Sequence, residues 1–301
     1  MNIEVIEKIK NIVGNDFVLE NESMAGHTTF RCGGNAKVYI IPGDEEQLAK
    51  VIKLCKENDE KYYVIGNGSN LLVRDEGYDG AIIEVGNRMS EIDIRGLEIV
   101  AQAGAKLSSV ALAAMENDLA GFEFAYGIPG NVGGAVTMNA GAYGGELKDV
   151  VKYVKGINKD GELVEYSLDD MNFGYRHSRV LDEEFIVTSM CIELMIGSYQ
   201  EISMMQQMLM MKRKSKQPLE YPSAGSTFKR PEGHFAGKLI EDAGLRGYQV
   251  GGAQVSEKHC GFVINKDNAT ATDIIKLIED VQSKVKEQFD VELEPEVRII
   301  P

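Results

Sequence analysis

Tryptophan is absent, cysteine and histidine occur four times each, and no long apolar run is present. Each shortage excludes something. The cysteines Cys32, Cys55, Cys191 and Cys260 stand far apart with no CxxC pair, so free thiols are expected rather than disulfides or a zinc site. The histidines show no HxxxH spacing and give no metal signal. No window reaches the ~18–20 uninterrupted apolar residues of a membrane span. The N-terminal stretch MNIEVIEKIKNIVGNDF lacks the basic start, apolar middle and small-residue cleavage site of a signal peptide, so a cytoplasmic location is expected. Positive charge is also short: 32 Lys and Arg against 47 Asp and Glu give a net charge of −15. That balance argues against nucleic acid, whose binding rests on neutralising phosphates. The cations nevertheless cluster, in KRKSK (212–216) and at Lys229 and Arg230, which leaves an anionic ligand open.

What is present is an ordinary globular composition, 44% hydrophobic and 26% charged, in a 301-residue chain long enough for two domains. Residues 44–58 put Leu48, Val51, Ile52 and Cys55 on one helical face, and 107–119 do the same with Leu107, Val110, Ala111, Ala114 and Met115. Strand-like runs occur at 81–85, 97–103 and 185–196, and 151–167 reads as a hairpin turning at Asp160-Gly161. Residues 199–218 read as a helix ended by Pro218, with five methionines between 204 and 211. Such a stripe is expected in adaptable core or interdomain packing, and the domain hinge is placed near its start. The remainder reads as a compact α+β unit, with a helix at 235–245 closed by Gly244 and a long helix starting in TATD.

The strongest signal is YGIPGNVGGAVTMNAGAYGG (126–145), in which seven of twenty residues are glycine. Glycine loses too much backbone entropy for this run to be expected inside a helix or strand. Interleaved Ile128, Val132, Ala135, Val136 and Met138 set it apart from a solvated linker. Bare backbone can converge its N–H groups on an anion such as a pyrophosphate, and a second glycine loop, GNGSN (66–70), follows a strand-like run. A tight set of core turns is the alternative. Neither loop fits GxGxxG or a P-loop, so a non-Rossmann diphosphate binder is expected, with Asn67, Ser69, Asn70 and Asn139 available for side-chain hydrogen bonds. In NFGYRHS (172–178), Arg176 beside Tyr175 suits bidentate carboxylate binding, with an exposed turn arginine as the alternative. In YPSAGSTFKRP (221–231), Ser226 follows a glycine with Lys229 and Arg230 nearby. No nucleophile elbow surrounds it, so it is a turn-former or a proton donor. Glu296 alternates along LEPEVRII in strand fashion.

Together HTTFRCGG (27–34), VIGNGSNLLV (64–73), GFEFAYGIPGNVGGAVTMNAGAYG (121–144), YRHS (175–178), PSAGSTFKRP (222–231), AGKLIEDAGLRG (236–247), GGAQVSEKHCGFVIN (251–265) and LEPEV (293–297) resemble, in order, the motifs of the UDP-N-acetylenolpyruvoylglucosamine reductase (MurB) family. The short interval after YRHS resembles the shorter type of that family, and Arg230 stands where some members carry asparagine. The resemblance implies an α+β architecture: an FAD-binding fold of the vanillyl-alcohol-oxidase type with a smaller C-terminal α+β substrate domain. It places the FAD-binding region at 1–197 (subdomains about 1–65 and 66–197), the substrate-binding domain at 198–295, and a tail with a catalytic residue at 296–301.

It further implies an oxidoreductase, UDP-N-acetylmuramate dehydrogenase, with non-covalent FAD and NADPH as co-substrate. The reaction is reduction of UDP-N-acetyl-3-O-(1-carboxyvinyl)glucosamine to UDP-N-acetylmuramate in peptidoglycan precursor synthesis. In it the flavin N5 delivers hydride to the vinyl carbon and Ser226 protonates the resulting enolate. Arg176 and Glu296 match the residues set against the substrate's carboxylate and enol. Gly66, Asn67, Gly68, Ser69, Asn70, Gly127, Pro129, Gly130, Gly133, Gly134, Asn139 and Gly141 fall in the FAD-contacting motifs. Tyr175, Arg213, Lys229 and Arg230 are expected substrate contacts. The implied partner is the small-molecule sugar nucleotide, with no nucleic acid, no membrane and no metal, acting as a monomer or weak dimer. A flavin oxidase of the same fold and a non-catalytic nucleotide-binding module are the alternatives.

Overall fold

A computed structural model describes residues 1–300. The chain divides into two compact units, neither of them continuous in sequence. The first holds Met1–Glu20, Val38–Asn67 and Gly80–Arg213; the second holds Asn21–Lys37, Gly68–Asp79 and the chain from Lys214 onward. This division differs from the sequence-ordered one expected at 197/198 and 295/296. The first boundary falls near the end of the methionine-rich helix Tyr199–Lys216, not near its start. Residues 296–300 belong to the second unit rather than forming a separate tail.

In the first unit, helices Ile3–Val13 and Glu45–Glu57 start where Asn2 and Asp44 accept hydrogen bonds from early backbone N–H groups. The apolar stripe Leu48, Val51, Ile52 and Cys55 is buried as its spacing demands. Strands Tyr62–Ile65 and Tyr78–Glu84 pair in parallel, with Ile65 opposite Glu84. The GNGSN loop therefore leaves from the carboxyl end of a parallel strand, where open α/β sheets commonly bind ligands. An antiparallel sheet runs in the order Leu163–Ser167, Val151–Ile157, Ile186–Glu193, Glu98–Gln102, Ile92–Arg95. Its hairpin turns at Gly161 (φ +83°), where Asn158 Oδ1 accepts from the N–H groups of Asp160 and Glu162. One apolar cluster serves the unit, including Ile9, Leu48, Ile99, Val136 and Ile192.

Two expectations fail here. Gly133 and Gly134 lie inside a short helix, Val132–Thr137. Tertiary packing outweighs the ~1 kcal/mol propensity cost of each glycine. Val132, Ala135 and Val136 are buried, and Gly133 donates its N–H to the Ala103 carbonyl at 2.8 Å with its bare Cα against that residue. The methionines of Tyr199–Lys216 do not form a core stripe either: Met204, Met205, Met208 and Met211 are exposed. Only Ile202 and Gln206 are buried, the latter donating from Nε2 to the Ala111 carbonyl at 2.9 Å.

In the second unit, the long helix Ala271–Phe289 starts at a capping box. Thr270 accepts from the Asp273 N–H and Asp273 accepts from the Thr270 N–H. Ile274, Leu277, Ile278, Val281 and Val285 point inward, and Asp290 ends the helix in a left-handed conformation. Asp75, distant in sequence, accepts from the N–H groups of Ala271 and Thr272, both at 2.8 Å, and from the Thr272 hydroxyl. Burial opposes its charge, but the bonds from Thr272 and Ala271 outweigh it and hold the carboxyl below its ordinary pKa. Strand Leu71–Val73 pairs in parallel with Arg298–Ile300, and Asn265 Nδ2 donates to the Phe30 carbonyl at 2.9 Å. These long-range bonds draw 21–37 and 68–79 into the C-terminal unit. All four cysteines are buried free thiols, and burial pushes Cys32 and Cys55 up to about 12. Among the described residues no helix is long and apolar enough to cross a membrane, and no cluster of His, Cys, Asp or Glu could hold a metal ion.

Candidate active site

The glycines of 126–145 divide into two kinds. Some are demanded by the protein itself. A Cβ on Gly141 would lie 2.7 Å from the Glu146 Cβ and from the Gly145 carbonyl oxygen, and Gly130 sits at φ +125°. Gly134 is different: it is exposed, and a Cβ there would meet nothing within 4 Å. At Gly127 a Cβ would approach Arg213 Cδ at 3.2 Å. Core turns thus explain part of the run, and Gly134 and Gly127 keep an open or cation-lined face.

Arg213 belongs to this face. Burial pushes its guanidinium pKa down, with the Tyr143 phenol opposing, and among the described residues no carboxylate pairs with it. A half-buried cation with no carboxylate beside it is available to an anion. Gly66 carries its bare Cα toward Asn131, whose Cβ would be 3.5 Å from an added methyl. Asn131 is only 5% exposed; its Nδ2 donates to the Val85 carbonyl at 3.1 Å, but its Oδ1 is buried with no partner. In the second unit, Gly68 (φ +60°) is packed against His27 and Thr28, its carbonyl accepts from the Thr29 N–H, and Thr29 Oγ1 is likewise buried without a partner. Within the first unit, the orphaned Asn131 Oδ1 beside the bare Gly66 fits a polar ligand that supplies the missing donor. Asn131 and Thr29 were missed by sequence reasoning. Each sits one to three residues from a motif glycine or threonine, and only the unsatisfied buried oxygen marks it.

Asn139, expected on the cofactor, is spent inside the protein. It is 1% exposed and left-handed (φ +42°). Its Nδ2 donates to Glu146 Oε2 at 2.7 Å and to the Gly174 carbonyl at 3.0 Å, and its Oδ1 accepts from the Lys148 N–H at 3.0 Å. The side chain therefore joins the glycine loop to the YRHS turn. That turn closes by mutual bonds between Gly174 and His177 and holds Arg176 at φ +54°. A left-handed arginine costs ~1–2 kcal/mol, so the turn must be held by its surroundings. Ser178, fully buried, completes the anchor by donating to the Thr137 carbonyl at 2.9 Å. Arg176 lies over the ring of Tyr175, with 5.4 Å from Cζ to the centroid, and His177 is paired with Asp182 at 3.1 Å.

The second unit gathers Ser226, Glu296 and Asn70. Gly225 (φ +78°) turns the chain into Ser226, and 226–229 then runs antiparallel to 294–296. Phe228 bridges Pro295; Glu296 N–H donates to the Thr227 carbonyl and Lys229 N–H to the Glu294 carbonyl, each at 2.8 Å. Ser226 and Glu296 therefore lie on neighbouring positions of one antiparallel pair. Thr227 is buried and its Oγ1 accepts from the Val263 N–H at 2.9 Å. Of the expected substrate cations, Lys229 is held by the exposed Glu294, and Arg230 stacks at 4.1 Å over the exposed Phe235 ring. Tyr175 is 56% exposed and Asn67 is exposed, whereas Gly68 is buried.

The sequence model of the family described as "UDP-N-acetylenolpyruvoylglucosamine reductase, C-terminal domain" matches residues 217–300, and one described as "FAD binding domain" matches 36–167. A UDP-N-acetylenolpyruvoylglucosamine reductase from Clostridium botulinum is 51% identical over 295 residues, 98% of this chain and 96% of the relative. The crystal structure of the reductase from Thermus caldophilus superimposes with a TM-score of 0.81 at 33% identity, covering 94% of this chain and 98% of that one. A 4-ethylphenol oxidase from Gulosibacter chungangensis shares the fold over 64% of this chain and 42% of its own, with a TM-score of 0.51 at 16% identity.

Proposed function

The chain belongs to the UDP-N-acetylenolpyruvoylglucosamine reductase family, and from that premise we propose how its residues carry out reduction of the enolpyruvyl ether of UDP-N-acetylglucosamine to UDP-N-acetylmuramate. The observation that supports the roles best is the register of Thr227 against Glu296, which brings the Glu296 backbone to the residue that follows Ser226. When bound, FAD supplies the two-electron reduction and NADPH restores it.

The remaining work falls to the chain. As the vinyl carbon is reduced, negative charge develops on the adjacent carbon and its carboxylate. Arg176 stabilises that charge through its planar guanidinium, and a preorganised donor of this kind contributes ~3 kcal/mol. Ser226 Oγ–H delivers the proton that completes the C–H bond, and Glu296 orients that transfer. Arg213 takes a diphosphate or carboxylate oxygen of the sugar nucleotide, which would give its half-buried charge a partner. Lys229, Arg230 and Tyr175 bind around it; Lys229 must exchange Glu294 for substrate, which costs little because an exposed pair contributes ~0–1 kcal/mol. Gly66, Gly68, Ser69, Gly127, Pro129, Gly130 and Gly134 hold the cofactor through backbone, with Asn131 and Thr29 added, while Gly133, whose N–H and carbonyl are both bonded within the protein, serves by its lack of a side chain. The enzyme works in the cytoplasm as a monomer or weak dimer.

The test is a visible spectrum of the purified protein, followed by anaerobic NADPH and then the enolpyruvyl sugar nucleotide. Yellow protein that bleaches with NADPH and recolours with that substrate is the expected result. Recolouring by air alone, with no response to the sugar nucleotide, overturns the reading in favour of an oxidase. Ser226→Ala should keep the yellow colour and lose ~10²–10⁴ in kcat; full turnover in that variant would remove Ser226 from its role.

A further inference from the structure

Glu296 is fixed from two sides by its own peptide groups. Its N–H donates to the Thr227 carbonyl at 2.8 Å, one residue from Ser226. Its carbonyl accepts from Asn70 Nδ2 at 3.0 Å. Asn70 returns a second bond, its carbonyl accepting from the Arg298 N–H at 3.0 Å. The two Asn70 bonds bracket residues 296–298 and close the end of the parallel ladder in which Leu71 faces Arg298. Asn70 thereby uses a side-chain donor on the protein that the motif resemblance assigns to the cofactor.

We infer that Asn70 is a positioning residue for Glu296. It registers the carboxyl of Glu296 against the Ser226 hydroxyl, and it makes the GNGSN loop part of the proton-delivery apparatus as well as of the cofactor cradle. The inference rests on the roles proposed above for Ser226 and Glu296. Its physical basis is leverage. The Asn70 amide bond is the side-chain anchor holding the Glu296 carbonyl, and a displacement of about 1 Å at a reacting group can cost ~10²-fold in rate. With that bond lost, Glu296 keeps its N–H bond to Thr227 but loses the restraint on its carbonyl side, while the Ser226 strand stays held by Thr227 and Val263.

Asn70→Ala and the isosteric Asn70→Asp are compared with the parent holoenzyme in separated half-reactions: bleaching of the flavin by NADPH and recolouring by the enolpyruvyl sugar nucleotide. Both variants should slow recolouring at least tenfold more than bleaching, and lower kcat with KM changed less than threefold. Amide hydrogen exchange should rise selectively at 296–300. In a Glu296→Gln background, Asn70→Ala should add less than threefold to the loss. Weakened flavin retention with both half-reactions slowed equally would overturn the inference and return Asn70 to the cofactor. Fully multiplicative losses with Glu296→Gln would overturn it too. A parent enzyme that the sugar nucleotide fails to recolour would instead defeat the functional reading beneath it.

Discussion

Asn139→Ala should loosen the arginine turn and the glycine loop together. Three hydrogen bonds disappear: one to the Glu146 carboxylate, one to the Gly174 carbonyl and one from the Lys148 N–H. A bond to a charged group contributes ~1.5–3 kcal/mol and a neutral one ~0.5–1.5 kcal/mol. The site is 1% exposed, so water cannot replace them without opening the fold. Alanine also tolerates φ +42° less well than asparagine, adding ~1 kcal/mol. Allowing for relaxation around the Gly174 carbonyl, which also accepts from the His177 N–H, the loss is about 3–5 kcal/mol. Thermal unfolding of the apoprotein should fall by about 6–20 °C. Below that midpoint, kcat should fall with it, because Arg176 loses the support of its turn. Asn139→Asp is the sharper variant: it preserves shape but sets an oxygen against Glu146 and the Gly174 carbonyl, and should be no more stable than alanine near neutral pH. An Asn139→Ala protein melting within about 2 °C of the parent, with kcat intact, would refute the argument that this side chain carries the turn.

Other expectations follow from single contacts. Gly134→Ala should leave the apoprotein as stable or up to ~1 kcal/mol more so, since the site is helical and open, yet weaken FAD about tenfold or more in a flavin-fluorescence titration; Gly141→Ala should instead cost ~1–3 kcal/mol of stability by forcing Glu146 away. Unchanged FAD affinity in Gly134→Ala would remove that residue from the cradle. Arg213→Met should not destabilise the apoprotein, because the half-buried cation has no carboxylate to lose, but should raise KM for the sugar nucleotide ~10–100-fold with kcat less affected. Asp75→Ala should cost about 1 kcal/mol at pH 7 in urea unfolding, by loss of its bonds to Ala271 and Thr272. Because the folded carboxyl titrates below the 3.8 of an unperturbed one, its contribution is present above that pH and is lost as pH falls through the folded value. The gap between variant and parent should therefore close in strong acid, and a gap that widened there would contradict the assigned charge.

The local order of this protein is legible in its sequence because it depends on near neighbours. The stripes of Glu45–Glu57 and Ala271–Phe289, the Thr270 cap, and the turn at Gly161 each follow from residues within one or two helical turns of one another. Family membership is legible for the same reason, since motif residues are read in order. Tertiary structure decided what depends on distant pairs. Whether Gly133 could sit in a helix depended on Ala103; whether Asn139 faced a ligand or the protein depended on Glu146 and Gly174. Which unit 68–79 joined depended on Arg298–Ile300 and the N-terminus of Ala271–Phe289. The exposure of Met204 and Met211 likewise depended on what the remaining chain left uncovered. A composition fixes which groups need partners, and only the fold fixes which partners reach them, because hydrogen bonds and van der Waals contacts act over a few ångströms and sequence separation does not measure that distance.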